Sequence, residues 1–202
     1  MIIAEFDSAS LSLGLARIAA VVEAFADDLN AADGALGDGD LGITVSKGFA
    51  EARDSTLPSD VGLAFMECAK AFQRVSSSSY GTLVATAFMS AAKACKGRQA
   101  VPYVEVPSLL KGALDAMMAR GKGNLGDKTV LDSLAAVEGA VRGKPEADML
   151  DAAIQAAHDT VENFKSKPNR LGRARSYGDR SIGLIDPGQL AFKRIVDGLR
   201  AR

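Results

Sequence analysis

Residues 33–42 read Asp33-Gly-Ala-Leu-Gly-Asp38-Gly-Asp40-Leu-Gly42, three carboxylates and four glycines in ten residues. Carboxylates this close repel one another unless a cation sits between them. Glycine on both sides of Asp38 lets the backbone turn sharply and approach a ligand. Asp38 and Asp40, two apart in an extended segment, are expected to project to one side, with Asp33 folding back across the turn to join them. Such a donor set suits a hard cation, Mg²⁺ in preference to Ca²⁺, and Mg²⁺ held by few carboxylates commonly shares its shell with phosphates. A surface Asp/Gly turn is the competing reading of the same residues.

Three further loops carry chemistry. Ser76-Ser77-Ser78-Ser79-Tyr80-Gly81-Thr82 runs into an apolar helical pattern. Hydroxyls and free N–H groups at a helix start suit an anion, and equally suit plain N-capping. Arg120-Gly-Lys-Gly-Asn-Leu-Gly126-Asp-Lys128-Thr129 nearly imitates a phosphate loop. One extra residue separates Gly126 from Lys128, however, and a helix precedes it where a phosphate loop has a strand. Asp127 and Lys128 are expected to cap the following helix or to pair with each other. The stretch from Asn169 to Gly188 holds Arg170, Arg173, Arg175 and Arg180, whose forks suit phosphate oxygens. A solvated basic turn is the alternative there, and Asp186-Pro187-Gly188 reads on its own as a turn opening the last helix. Carboxylates for Mg²⁺, backbone donors for phosphates and arginines for developing charge are the parts that phosphoryl transfer requires.

The elements that must position these loops are helices. Apolar residues recur at three- and four-residue steps in Leu11–Leu29, Val61–Phe72, Val84–Cys95, Leu110–Met117, Val130–Val141 and Leu150–Phe164. A short helix over about Ile43–Arg53 and a last one from about Gly188 bring the expected number to eight. Ala100–Val106 alternates, but Pro102 and Pro107 make it a poor strand. The fold class expected is all-α, a bundle or barrel with its site in loops at one end, in one domain over residues 1–202. The chain is 48% hydrophobic and 24% charged, which fits a globular protein, and its net charge of −1 argues against nucleic-acid or basic membrane-surface binding. No apolar run approaches the roughly 18 residues of a membrane span, and MIIAEFDSAS does not read as a signal peptide. Cys68 and Cys95 fall in apolar helical patterns and read as reduced, buried thiols of a cytoplasmic protein. His158, the only histidine, reads as structural.

In that order and spacing, Leu36-Gly-Asp-Gly-Asp-Leu-Gly42, Tyr80-Gly-Thr82, Arg120-Gly-Lys122, Gly126-Asp-Lys-Thr129, Leu131-Asp132, Gly172-Arg-Ala174, Gly178-Asp-Arg-Ser-Ile-Gly183 and Asp186-Pro-Gly188 resemble the L subunit of dihydroxyacetone kinase, the nucleotide-binding Dak2-type domain, over essentially the whole chain. The resemblance implies an eight-helix barrel holding ADP or ATP through Mg²⁺, with two ions expected. It implies Asp33, Asp38 and Asp40 as metal ligands, and Asp38, Asp40 and Arg173 as the catalytic set. Leu41, Gly42, Ile43 and Thr44 would lie against the phosphates, with Ser76 and Ser77 donating hydrogen bonds. Gly121, Val130, Asp186, Pro187 and Gly188 would border base and ribose, and Arg173 would face the phosphates.

Such a subunit passes phosphate to a ketose held on a separate K-type subunit. It is recharged by a phosphohistidine carrier fed from phosphoenolpyruvate, or by exchange with ATP. Arg170, Arg175 and Arg180 are then candidates for the docking rim, and a homodimer is compatible with the sequence. Leu41 and Leu184 stand where the family often has histidine. A regulatory module of the same fold, holding nucleotide without turnover, is therefore the alternative function.

Overall fold

The computed structural model describes residues 4–75 and 78–200, so Ser76 and Ser77 lie outside the described residues. The apolar stripes form α1 (Ser8–Ala24), α2 (Ala26–Gly34), α3 (Leu41–Asp54), α4 (Val61–Val75), α5 (Ser79–Cys95), α6 (Val106–Gly121), α7 (Val130–Val141), α8 (Glu146–Phe164) and α9 (Pro187–Gly198). Their starts are chemically marked. The Asp7 carboxylate accepts from Ser10 N at 2.8 Å to cap α1. Pro107 and Pro187 sit in the first turns of α6 and α9, where a missing N–H removes no helix bond. Thr129 and Asp132 form a reciprocal capping box on α7.

Helices α3 to α9 each pack on their neighbours in the chain, α9 returns onto α1, and α1 packs on α3. Eight helices, α1 and α3 to α9, thereby close a ring, and α2 lies across one end against α3 and α9. The largest buried cluster joins α1 to α5 and α9 through Val22, Leu29, Val45, Phe49, Phe72 and Ala191. Phe49 and Phe72 meet edge-on with centroids 5.0 Å apart, and each buried side chain of this size contributes roughly 1.5–3 kcal/mol. Leu114, Met117, Leu131 and Leu134 seal α6 to α7, while Val137, Met149, Ala157 and Val196 seal α7, α8 and α9.

Two expectations need correction. The stripe from Leu11 to Leu29 is not one helix: it bends by 57° between α1 and α2. Phe25, at the bend, has φ −108° and ψ 15°, outside helical values, and the Arg194 guanidinium lies 3.6 Å from its ring centre. The apolar spacing continues across the bend because Val22 and Leu29 enter the same core. The poor strand is nonetheless a strand over Ala100–Pro102 (β2), antiparallel to Glu5–Asp7 (β1) with Phe6 opposite Val101. In a two-stranded ribbon every strand is an edge, so Pro102 breaks no second ladder. Phe6, Val61, Phe65 and Val101 pack beneath it. Among the described residues no single helix is long and apolar enough to cross a membrane.

Candidate functional site

Beyond the bend at Phe25, α2 meets the first turn of α3 through Ala26 and Asn30. Asn30 Oδ1 accepts from Gly42 N at 2.8 Å and from Ile43 N at 3.3 Å, satisfying two N-terminal donors of α3. The approach is close enough that a Cβ on Gly42 would fall 2.0 Å from the Ala26 carbonyl oxygen, so only glycine fits. Asp33 Oδ2 accepts from Gly39 N at 2.9 Å and Asp40 N at 3.0 Å, folding the loop back on α2. Gly39 has φ 79°, the left-handed region that favours glycine. The segment is thus a turn, not the extended stretch expected from alternation, and the turn does what alternation was expected to do. Ligand atoms of Asp33, Asp38 and Asp40 all lie within 4.8 Å of one another.

These carboxylates fit a divalent cation. Asp40 stands at the N-cap position of α3 but makes no side-chain capping bond. Among the described residues, the Arg173 guanidinium, in contact with Asp38, is the one cation within ion-pair distance of the three. Several carboxylate oxygens therefore remain as hard donors, the kind Mg²⁺ prefers.

The three aspartates line a cavity of about 520 Å³ at one end of the ring. Leu41, Gly121, Val130, Arg173, Asp186, Pro187 and Gly188 line it as well, so the structure gathers residues from four separate loops. Gly42, Ile43 and Thr44 are not in its wall: Thr44 is buried, Ile43 is exposed, and the N–H groups of Gly42 and Ile43 bond to Asn30. Ser78 and Ser79 line it in the serine loop, with Ser78 Oγ accepting from Gly81 N at 3.0 Å to cap α5. A second cavity of about 520 Å³ between α4, α5 and α6 shares Thr82 and Arg120 with the first but has no carboxylate in its wall. Cation chemistry therefore belongs to the first.

Beneath the cavity lies a buried polar layer of which the sequence disclosed only Asp186, as part of the turn that opens the last helix. Asp186 caps α9, its Oδ1 accepting from Gln189 N at 2.8 Å and its Oδ2 from Asn169 Nδ2 at 2.7 Å. Burial pushes its pKa up to about 7, against the pull of those two bonds and of the Lys128 charge. Burial, together with the Asp186 charge, likewise pushes the Tyr80 phenol upward. Lys128 neither caps α7 nor pairs with Asp127, as had been expected: Thr129 and Asp132 cap the helix, and Asp127 Oδ2 accepts from Asn124 N. The Lys128 ammonium instead donates to backbone carbonyls of the arginine segment. No local signal marks Asn30, Lys128 or Asn169, because each acts on residues distant in sequence.

The wall thus offers carboxylates at one side, the Arg173 and Arg120 guanidiniums, and an apolar face from Leu36, Leu83, Val130 and Leu131. Such a wall suits a ligand with a flat apolar part and an anionic end joined to protein through a cation.

Comparison with known proteins agrees with this chemistry. The DAK2 domain family matches residues 35–201. The PEP-dependent dihydroxyacetone kinase, ADP-binding subunit DhaL, of Escherichia coli is 28% identical over 183 residues, covering 86% of this chain and 87% of its own. The corresponding ADP-binding subunit of the PEP-dependent dihydroxyacetone kinase 2 of Listeria innocua is 29% identical over 191 residues, with 90% and 88% covered. Among solved structures, the dihydroxyacetone kinase from C. freundii in complex with AMP-PNP and Mg²⁺ superposes with a TM-score of 0.74 at 25% identity. That match covers 94% of this chain but only 33% of the longer kinase chain. With the family match running from just past α2 to beyond α9, and Asp38, Asp40, the arginine segment and the Asp186 turn all inside it, the chain belongs to the DAK2 domain family.

Proposed function

We propose that this chain is a phosphotransferase component: the Mg²⁺-nucleotide-binding, phosphoryl-donor subunit of a dihydroxyacetone-type kinase, passing phosphate to dihydroxyacetone or a related ketose held on a separate K-type subunit. The observation that carries this reading is the convergence of Asp33, Asp38 and Asp40 on one cavity, with Arg173 in contact with Asp38 across it. All 202 residues are assigned to one Dak2-type unit, because α1, which precedes the family match, is needed to close the ring with α9.

Asp33, Asp38 and Asp40 would hold Mg²⁺, which when bound neutralises charge on the nucleotide phosphates. The protein's own residues position and stabilise. Val130, Leu131 and the Pro187-Gly188 backbone form the face against which base and ribose would rest. Arg173 presents a fork to phosphate oxygens as charge develops in transfer, and its segment is fixed from below by the buried layer. Activation of the acceptor hydroxyl is assigned to the partner subunit. Recharging is assigned to a phosphohistidine carrier fed from phosphoenolpyruvate, supported by the named dependence of the bacterial relatives on that donor. A cytoplasmic setting accords with Cys68 and Cys95 as free, buried thiols, the first pushed up to about 12 by burial.

Reconstitution tests the reading. The chain is combined with a K-type subunit and ketose, and supplied either with ATP or with phosphoenolpyruvate and a phosphohistidine carrier. Ketose phosphate formed only when this chain is present is the expected result. Mg²⁺-ADP binding without phosphate transfer from either donor would replace the donor-subunit reading with that of a binding module, for which Leu41 in the cavity wall leaves room.

A further inference from the structure

Lys128 is fully buried, at 0% exposure. Its backbone has φ 60°, the left-handed region that a lysine adopts only against steric resistance. Among the described residues no carboxylate lies within ion-pair distance of it. Its three protons are met by carbonyl oxygens instead: Lys167 O at 2.8 Å, Ser181 O at 3.0 Å and Lys165 O at 3.5 Å. Burial lowers its pKa, and the charge of Asp186 only opposes that. A strained backbone and a desolvated ammonium at one residue persist only where the surroundings enforce them, and such combinations gather at functional sites.

The carbonyls identify what is being held. Lys165 and Lys167 follow the end of α8, and Ser181 ends the 3₁₀ segment Arg173–Ser181. They are the two feet of the arginine segment, and the same ammonium fastens both to the residue before the α7 cap. Asn169 completes the knot: its Nδ2 donates to Lys128 O at 3.0 Å and to Asp186 Oδ2, and its N–H donates to Ser181 Oγ at 2.8 Å. Arg170 N adds a bond to Asp127 O at 3.0 Å, and Gly183 N one to Lys165 O at 2.7 Å. Between these ties the chain is largely exposed and carries Arg173 over the carboxylate loop.

We propose that Lys128 is a positioning residue, whose buried ammonium clamps both feet of the segment 165–181 and so sets Arg173 opposite Asp38. The clamp is a property of the free chain, while its effect on transfer rests on the kinase reading above.

The test is hydrogen–deuterium exchange on the full chain, comparing wild type with Lys128→Met, which keeps the stem and removes the charge. Amides of residues 169–183 are expected to exchange at least about tenfold faster, with those of α1, α4 and α5 unchanged. Uniform acceleration across the ring, or none in 169–183, overturns the clamp. If Lys128→Met does not accumulate as folded protein, Asn169→Ala is compared in its place, with the same local loss expected and the same results overturning the clamp. Once transfer is reconstituted, Lys128→Met is expected to lower kcat with little change in KM for nucleotide, and to add less than threefold to the loss caused by Arg173→Ala. Full additivity of the two losses contradicts a role exercised through Arg173. Because exchange is read without nucleotide or partner, failure of the kinase reading leaves the clamp separately testable.

Discussion

At residues 33–40 three carboxylates crowd within 4.8 Å, two of them exposed, with one exposed arginine in reach. A few residues away in the fold, Lys128, Asn169, Ser181 and Asp186 are all buried and share bonds almost wholly among themselves and with backbone. The first region keeps its donors open to the cavity; the second turns its polar groups inward. The contrast shows a division of labour at one end of the helical ring. An electrostatically incomplete loop can accept a cation and an anion, and a layer below, bonded mostly within itself and to backbone, holds that loop's counterpart in place.

Each half of the contrast can be broken separately. The largest expected effect is on the open half: Arg173→Ala should lower kcat of the reconstituted kinase by about 10³-fold, the scale seen when a transition-state arginine is removed. Folding should be nearly unaffected, because Arg173 is exposed and its ion pair is screened. Steady-state kinetics and thermal melting check the two parts. The closed half should show itself in pH dependence. Burial raises the Asp186 carboxyl in the folded chain from the ordinary 3.8 to about 7. Between those values the folded carboxyl keeps a proton that the unfolded chain releases, so stability falls as pH rises through the window and levels off above it. The fall amounts to something on the order of 4 kcal/mol. Asp186→Asn should flatten it, since an amide does not titrate in this range, and the buried Asn169 Oδ1, which has no partner, can accept from the new amide. Denaturant titrations at pH 4.5, 6 and 7.5 decide the sign.

Smaller effects sharpen the contrast. Asp38→Ala should weaken Mg²⁺-dependent nucleotide binding by about 10²-fold, or about 3 kcal/mol, by removing a charged donor from the metal set. It should cost little stability, because Asp38 makes no bond that the fold needs. The exposed pair Lys111–Asp115, four apart on α6, serves as the control: breaking it with Asp115→Ala should cost under about 0.5 kcal/mol and leave binding unchanged. If that control proved as costly as Asp186 substitutions, burial would not be what separates the two regions.

The sequence made the open half legible and, apart from Asp186 at the start of α9, hid the closed one, for a physical reason. Asp33, Asp38, Asp40 and their glycines lie within ten residues, so type and spacing suffice to read them. The helices were legible because each buries one stripe, and even α1 and α2 kept a common stripe through the bend at Phe25. The bend itself left no mark, since both halves feed one core. Lys128, in contrast, bonds to carbonyls at 165, 167 and 181, and backbone oxygens carry no sequence signal. Asn30 likewise caps a helix that begins eleven residues later in the chain. The β1–β2 pairing joins segments too far apart for alternation alone to predict.

The central claim is that the carboxylate loop binds nucleotide through a divalent cation. Its most direct test is calorimetric titration of the protein with ADP, first with Mg²⁺ and then with EDTA, for wild type and Asp38→Ala. The account predicts tight binding by wild type with Mg²⁺, at least about 10²-fold weaker binding with EDTA, and loss of most of that difference in Asp38→Ala. Equal affinity with and without Mg²⁺, or full-strength Mg²⁺-dependent binding by Asp38→Ala, would contradict it.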